Sequence, residues 1–231
     1  MSNAETFIRK YKDLEEIIQS KYGSRVDKSP IITLSEQPQF LRMKHKLDDL
    51  RHVRNILQHA QTYNGEYPIE PNQALLDLID NIISLLTNPP KAFDKAIRID
   101  RVCSATWDNK IYPKMELMKE NVYTHIPILN NGIVEGVFSE NTLFGALIED
   151  ELVYVKDETS FDAPLIKKHC LLDNHVSEVF KFIPKSMLLE DAKILFNKAF
   201  EKNERLAMLF ITEHGKQSEK LLGIITPWDI I

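Results

Sequence analysis

An internal repeat in the second half of the chain limits the possible folds more than any other feature of the sequence. Hydrophobic periodicity and turn residues predict the same order of strand, helix, strand, strand and helix in two consecutive stretches. In the first copy these segments are residues 97–105, 110–121, 125–129, 133–138 and 140–149. In the second copy they are residues 180–183, 188–202, 206–212 and 221–225, followed by a helix that begins near Thr226. Gly136 and Gly223 occupy equivalent places in the two copies, so we predict a repeated βαββα unit.

The connection between the two middle strands of the first copy is Asn130-Asn131-Gly132. Asparagine and glycine accept the positive φ angles that a tight hairpin turn requires. The second copy has a polar connection at the same place, residues 214–219. We therefore predict an antiparallel hairpin over residues 125–138.

The first 90 residues predict an all-helical domain, because apolar residues recur at helical spacing in three segments. The apolar positions are Phe7, Ile8, Tyr11, Leu14, Ile17 and Ile18 in the first segment, Phe40, Met43, Leu47, Leu50 and Leu57 in the second, and Leu75, Leu78, Ile79, Ile82, Leu85 and Leu86 in the third. Gly23 can end the first helix, and the prolines within residues 24–38 predict a loop.

The boundary between the two halves is predicted at Asn88-Pro89-Pro90, since a residue before proline is kept out of the helical conformation. We predict an α+β chain with a helical domain at residues 1–90, the first repeat copy at 91–155 and the second at 156–231. The final helix of the second copy is expected to be cut short, because the chain ends at Ile231, soon after Thr226.

Composition narrows the range of partners. The net charge is -5 and no run of five basic residues occurs, so a broad nucleic-acid surface is not expected. Cys103 and Cys170 have no metal-ligand spacing and favour a reducing compartment. The apolar stretches are interrupted well before the roughly 18 residues of a membrane span, and the N-terminus lacks the apolar core of a signal peptide. We expect a soluble, cytoplasmic protein without metal.

The strongest candidate for a ligand site is the segment Gly223-Ile-Ile-Thr-Pro-Trp-Asp229. Thr226 fits a helix N-cap, with Pro227 at the first helical position, and the free N–H groups of a helix start favour an anion. Asp229 lies one turn on and can reach back toward the same cleft, while Gly223 leaves room for a ligand at the strand end. The alternative is that Thr226 and Asp229 only cap the helix.

The two copies resemble CBS domains, modules that work in tandem pairs. The family pattern is Gly, two apolar residues, Ser or Thr, two further residues and Asp, and residues 223–229 match it at every position. The resemblance implies that the Thr226 hydroxyl contacts a nucleotide phosphate and that the Asp229 carboxylate contacts ribose hydroxyls. It also implies adenine contacts near Ile183 and Met208, with AMP, ADP or ATP as the ligand.

The first copy departs from this pattern. Gly136 and Ser139 are present, but Thr142 stands where the family has Asp, and Glu140 places a negative charge in the first turn of the helix. We expect the first cleft, with Ser139, to bind weakly or to stay empty. One working site in the pair is therefore predicted.

Arg54, Asn55 and His59, on the second predicted helix, resemble the motif of the HEPN superfamily, in which an Arg followed by a polar residue precedes a His by a few positions. The resemblance extends over residues of about 5–88 and implies either a ribonuclease or a catalytically silent dimerisation module. His and Arg suit metal-independent cleavage of RNA. Because Arg54 and His59 lie about 140° apart around a helix, a facing copy in a homodimer would have to complete the site.

Arg54 also continues the apolar stripe of Leu47 and Leu50, where a charge needs a partner. The alternative role is thus an ion pair, with Asp48, Asp49 or Glu70 as conceivable partners, and a surface His59. The histidines at positions 45, 52 and 59 are each about 10.5 Å apart along a helix, too far to share a metal ion.

Three functions remain open at this stage. The first is a regulatory sensor, in which the repeat pair binds an adenine nucleotide and signals to a helical dimerisation domain. The second is a nucleotide-regulated ribonuclease that uses Arg54 and His59. The third is an oligomeric scaffold that binds no ligand.

Overall fold

The computed structural model describes residues 2–23, 27–59, 61–62, 64–149, 157–175 and 177–230. The chain divides into two compact units, Met1–Pro90 and Lys91–Ile231. The regular elements described in the first unit are helices, whereas the second unit contains strands and helices. The predicted α+β class is therefore confirmed.

Helix α1 (Asn3–Tyr22) begins with a capping box, as an exposed helix start in water requires. The Ser2 hydroxyl accepts a hydrogen bond from the Glu5 N–H, and the Glu5 carboxylate accepts one from the Ser2 N–H. The helix ends at Gly23, whose φ of 80° is the conformation that only glycine adopts without strain. The predicted end of this helix is confirmed.

The segment predicted as a loop contains a short helix, α2 (Pro30–Ser35), and a 3₁₀ helix at Pro38–Met43. Each of these helices begins with a proline, because the fixed φ angle of proline suits the first position of a helix. A proline interrupts a helix only at an interior position. Helices α3 (Lys44–His59) and α4 (Gln73–Thr87) complete the unit, and both agree with the predicted apolar spacing.

The core of the helical unit is formed by one face of each helix. Its fully buried side chains include Phe7, Leu14, Ile18, Ile31, Leu34, Leu47, Leu50, Ile79 and Ile82. An ion pair between Lys10 and Asp80 links α1 and α4 at the surface. The helices of this unit are thus held by apolar packing, as the sequence pattern predicted.

The second unit contains both helices and strands. They are α5 (Ala92–Lys95), β1 (Ile97–Arg98), α6 (Ile111–Asn121), β2 (His125–Asn130), β3 (Ile133–Ser139), α7 (Glu140–Glu149), α8 (Pro164–Cys170), β4 (Val179–Pro184), α9 (Leu189–Glu201), β5 (Leu206–Thr212) and β6 (Gly223–Ile225). The strand predicted over residues 97–105 is wrong in length, because a 3₁₀ turn at Ile99–Arg101 interrupts it. After β6 the described residues form a 3₁₀ turn, Pro227–Asp229, in place of a helix.

The strands form a four-stranded sheet in the order β1-β6-β5-β4 and a separate hairpin, β2-β3. Strands β4 and β5 are parallel, and β6 runs antiparallel to both β5 and β1. In the turn between β2 and β3, Asn131 has a φ of 51° and Gly132 a φ of 84°. The predicted hairpin and its turn are confirmed.

The two copies exchange short segments. Strand β1 lies at the start of the predicted first copy but pairs with β6 of the predicted second copy. Conversely, Leu171 lies in the predicted second copy and forms a bridge with Gly136 in β3 of the first. Within the predicted first copy, Ala105 forms a parallel bridge with Ile128 of β2, and β4 likewise runs parallel to β5. Residues of both predicted copies thus belong to one compact unit.

Gly136 and Gly223 lack a side chain, and this allows the backbone of a distant segment to approach each of them closely. A Cβ atom on Gly223 would lie 2.7 Å from the Ile97 carbonyl oxygen, and one on Gly136 would lie 2.6 Å from the Cys170 carbonyl oxygen. Carbon and oxygen atoms do not approach so closely without repulsion. The side of Gly223 that was predicted to face a ligand therefore faces the backbone of β1.

We expect Gly223→Ala to lower the free energy of unfolding by about 1–3 kcal/mol, because the added methyl group must push β1 away from β6. Gly136→Ala should lower the free energy of unfolding by a similar amount, because its methyl group would meet the Cys170 carbonyl oxygen. Chemical denaturation measures both, with Ser218→Ala in the exposed turn before β6 as the control. Unchanged stability of both glycine variants would show that the exchanged segments do not pack as described.

Candidate ligand-binding cleft

A cleft of about 570 Å³ in the second unit is lined by segments of both copies. The cleft is lined by four groups of residues: those in and after β1 (Ile97, Arg101, Val102, Cys103), those at the entry to β2 (Val122, Tyr123, Thr124, His125), those at the entry to β5 (Arg205, Leu206, Ala207, Met208) and those in and after β6 (Ile224, Thr226, Pro227, Trp228). This volume lies within the usual range of small-molecule sites. The cleft has apolar walls with a few polar and cationic groups.

Thr226 lines the cleft, and the Asp229 side chain is hydrogen-bonded to Thr226. The Asp229 Oδ2 atom accepts hydrogen bonds from the Thr226 N–H at 2.7 Å and from the Thr226 hydroxyl at 2.8 Å. The two predicted residues are thus together, in the capping arrangement that was the alternative to a ligand site. Because a hydroxyl has one proton, Thr226 can donate either to Asp229 or to a phosphate. A nucleotide phosphate can therefore accept the Thr226 proton only after the hydrogen bond from Thr226 to Asp229 is broken.

The two residues predicted near adenine differ in position. Met208 is buried beside Phe210 and Ile224, and it lines the cleft. Ile183 is buried against Leu209 and Ile211 and is not among the residues that line the cleft. Ile183 is therefore a core residue in this structure, while Met208 can contact a ligand.

Three further residues of the cleft carry suitable chemistry and were not predicted. Arg101 and Arg205 are exposed and supply positive charge, and Trp228 is 87% exposed between Thr226 and Asp229 in the sequence. An exposed aromatic ring offers a stacking surface to a base or a cation. Trp228 could have been noticed inside the motif, whereas the arginines lie outside any pattern and are brought to the cleft by the fold.

Ser139, the corresponding residue of the first copy, is buried. Ser139 is 1% exposed, and its hydroxyl donates to Glu178 Oε2 at 2.9 Å. Its N–H donates to the Thr142 hydroxyl at 3.0 Å. Ser139 thus donates its hydroxyl proton to a carboxylate, as Thr226 does to Asp229. The carboxylate that Ser139 contacts, Glu178, lies in the second copy.

Glu178 is the buried centre of a polar cluster that the sequence did not reveal. We name it the Glu178 cluster: His125, Ser139, His175, Glu178 and Arg205. The His125 Nε2 atom lies 3.0 Å from the carboxylate, Arg205 Nε lies 3.9 Å from it, and His175 Nδ1 lies 4.0 Å from it. Two of its members, His125 and Arg205, also line the cleft.

The environment of the Glu178 cluster favours an ionised carboxylate beside a neutral His175. Burial alone raises the pKa of Glu178, but the hydrogen bond and charge of His125, with the Ser139 hydroxyl, outweigh burial and lower the pKa to about 2. Burial lowers the pKa of His175, against the effect of the Cys170 carbonyl that it contacts. The edge of Phe180 packs against both imidazoles.

In the helical unit, Arg54 is turned toward α1. Its Nη2 atom lies 3.9 Å from Glu15 Oε2, its guanidinium lies over the Tyr11 ring at 5.9 Å, and its Nη1 donates to Asn55 Oδ1 at 3.3 Å. Burial raises the pKa of Glu15, and Arg54 opposes this shift. The role of Arg54 as an ion-pair partner thus has a clear basis, and His59 is exposed at the end of α3.

The partners suggested for Arg54 from the sequence are corrected. Asp48 lies 3.7 Å from Arg51, and Glu70 accepts a hydrogen bond from the Asn3 N–H. Both carboxylates are therefore used elsewhere in the unit. Among the described residues, no hydrogen bond joins Arg54 to His59.

Over the described ranges, no group of three or more His, Cys, Asp or Glu side chains is arranged to hold a metal ion. In that same part of the chain, no helix has both the length and the apolar character needed to cross a membrane.

The chain is similar in structure to CBS-domain proteins. A structure of CBSX2 in complex with AMP has 19% sequence identity and a TM-score of 0.42, with 61% of this chain and 92% of that chain covered. A hemolysin-like protein containing a CBS domain from Oenococcus oeni has 15% identity and a TM-score of 0.38, over 60% and 85% of the two chains. The CBS domain NE2398 has 16% identity and a TM-score of 0.37, over 56% and 84%. No protein-family model and no curated protein matches the chain.

Proposed function

We propose that this protein is a regulatory sensor of adenine nucleotides, in which the repeat pair binds AMP, ADP or ATP in the cleft and signals to the helical unit. The observation that carries this proposal is the position of Thr226, the hydroxyl of the matched motif, in a cleft that also contains Arg101 and Arg205. Cys103 and Cys170 are free thiols, which suits the reducing cytoplasm that we propose as its location.

The cleft has a group for each part of a nucleotide. Ile97, Val102 and Met208 supply apolar surface for an adenine ring. Arginine guanidinium groups form the charge-assisted hydrogen bonds that suit phosphate oxygens. The Asp229 carboxylate, once released from the Thr226 hydroxyl, can accept hydrogen bonds from ribose hydroxyls.

Calorimetry with adenosine, AMP, ADP and ATP tests the proposal. AMP is the first nucleotide to try, because one of the similar structures contains it. Saturable binding of at least one of these nucleotides is expected. If the intact protein binds none of them, the sensor function is rejected.

For the helical unit we propose a structural and dimerising role. The ion pair of Arg54 with Glu15 supports it, because the arginine that a ribonuclease site would need is engaged in packing α3 against α1. In the second unit, α7 exposes Phe144 and Ile148 and α9 exposes Phe200, and exposed apolar side chains of this kind suit contact with another copy. Sedimentation velocity with and without nucleotide measures the proposed homodimer.

The ribonuclease alternative makes a different prediction. We expect wild-type protein and the His59→Ala variant to be equally inactive on single-stranded RNA, with AMP and ATP each present or absent. His59 is exposed, so its replacement should leave the fold intact. Cleavage by the wild-type protein that is lost in His59→Ala would instead support catalysis by Arg54 and His59.

A further inference from the structure

Two polar groups of the cleft share one buried carboxylate. His125 and Arg205 both line the cleft, and both contact the same atom, Glu178 Oε1, at 3.0 Å and 3.9 Å. Glu178 is 4% exposed, so it lies behind the cleft and contacts these side chains from the interior. The ends of His125 and Arg205 are thus placed between an internal anion and the space available to a ligand.

The position of Glu178 affects what the cleft can attract. A carboxylate a few ångströms from a guanidinium cancels much of its field, and less water screens charges that are partly buried. A phosphate entering the cleft would compete with Glu178 for the donors of His125 and Arg205. The strength of that competition depends on the charge of Glu178, because a carboxylate binds these donors more strongly than a neutral amide.

The two copies contribute unequally to this arrangement. His125 and Ser139 belong to the first copy, and they hold a carboxylate of the second copy. In the second copy the corresponding hydroxyl, Thr226, is held by its own Asp229. The hydroxyl of the first copy, which lacks the aspartate of the motif, is therefore used to fix Glu178 beside the cleft.

We propose that Glu178 is an internal counter-ion that sets the affinity of the cleft for the phosphate groups of its ligand, acting through His125 and Arg205. Glu178 is a positioning residue, since it reaches the ligand only through these two side chains. The inference rests on the proposed binding of adenine nucleotides. It predicts that the charge of Glu178 affects the phosphates of a ligand and leaves the nucleoside part unaffected.

The test compares the dissociation constants of adenosine and ATP for the wild-type protein and for Glu178→Gln, which keeps the shape and removes the charge. The ratio of the two constants within one variant cancels general effects on the fold. Glu178→Gln is expected to bind ATP about tenfold more tightly relative to adenosine. An unchanged ratio, or a shift toward adenosine, overturns the inference.

Two arginine variants separate this effect from a general change in charge. Arg205→Gln is expected to weaken ATP binding about tenfold with adenosine unaffected, and to reduce the gain from Glu178→Gln in the double variant to the part that acts through His125. Arg101→Gln is the matched control, because Arg101 lines the same cleft without an ion pair to Glu178 among the described residues. In that background the gain from Glu178→Gln should persist.

Arg205 also keeps the proposal testable if Glu178→Gln does not fold. The Arg205 side chain is 67% exposed, so its replacement should be tolerated. Equal loss of ATP and adenosine binding in Arg205→Gln, or no loss of either, overturns the inference. If the wild-type protein binds neither adenosine nor ATP, the proposed function fails first and this inference falls with it.

Discussion

Asp229→Ala is expected to weaken the binding of adenine nucleotides by one to two orders of magnitude. Hydrogen bonds to a charged group contribute about 1.5–3 kcal/mol, and the proposed ribose contact would lose its acceptor. The variant also loses the cap on Thr226, which should cost about 1 kcal/mol of stability. Calorimetry well below the melting temperature separates the loss of affinity from the smaller loss of stability.

The matched control for this prediction is Asp191→Ala. Asp191 is an exposed aspartate in the first turn of α9, so the change removes the same charge away from the cleft. Wild-type affinity is expected for the control. If Asp229→Ala also binds nucleotides as the wild-type protein does, Asp229 is only a helix cap, and the ribose contact is to be rejected.

The parts of the fold that depend on neighbouring residues could be predicted from the sequence. The tight turn at Asn131-Gly132 follows from the φ angles that these residues accept, and the end of α1 at Gly23 follows from the same property. Thr226 and Asp229 lie within one turn, so their contact was also within reach of local reasoning. Contacts of Thr226 and Asp229 with other groups depend on which ligand occupies the cleft.

The parts that depend on contacts between distant segments could not be predicted. Strand β1 is two residues long and is a strand only because it pairs with β6, more than a hundred residues later. Gly223 was predicted to leave room for a ligand, but the atom that its small size accommodates is the Ile97 carbonyl oxygen, which is distant in sequence. The partner of Arg54 likewise depends on how α1 and α3 are rotated against each other, which apolar spacing does not specify.

The Glu178 cluster is the clearest case of this limit. Its carboxylate, imidazoles and hydroxyl come from residues 125, 139, 175 and 178, which form no periodic pattern. Serine and glutamate are mostly exposed in proteins and histidine is intermediate, so no one of these residues indicates burial by its type. The exchange of segments between the copies brings them together and buries them.

The second large effect expected is a loss of stability when the charge of Glu178 is removed. The folded protein lowers the pKa of Glu178 from 4.5 to about 2, which corresponds to about 3 kcal/mol of stability at neutral pH. The residue is almost fully buried, so solvent screening is small. Glu178→Gln should therefore unfold at a lower denaturant concentration than the wild-type protein at pH 7, yet remain folded.

The pH dependence of this difference identifies its source. A carboxylate whose pKa is depressed by folding stabilises the protein fully above its unfolded pKa, and the contribution is lost as pH falls through 4.5 toward about 2. Above pH 6.5 the gap between wild type and Glu178→Gln should be constant, and as pH falls through 4.5 toward about 2 the gap should close. Glu204→Gln, which removes an exposed carboxylate paired with Lys181, should show a small gap at every pH.

His175 adds a second, separate step to the acid response. Its folded pKa is lowered from 6.5, so the neutral imidazole stabilises the fold above pH 6.5, and this contribution is lost as pH falls below that value. The step should occur in both the wild-type protein and Glu178→Gln, because burial is its largest cause, and it should be larger in the variant, which lacks the opposing charge of Glu178. The gap between the two proteins should therefore widen as pH falls below 6.5 and then close as Glu178 is protonated. A gap that persists unchanged to pH 3 would show that the carboxylate is not held by the contacts described.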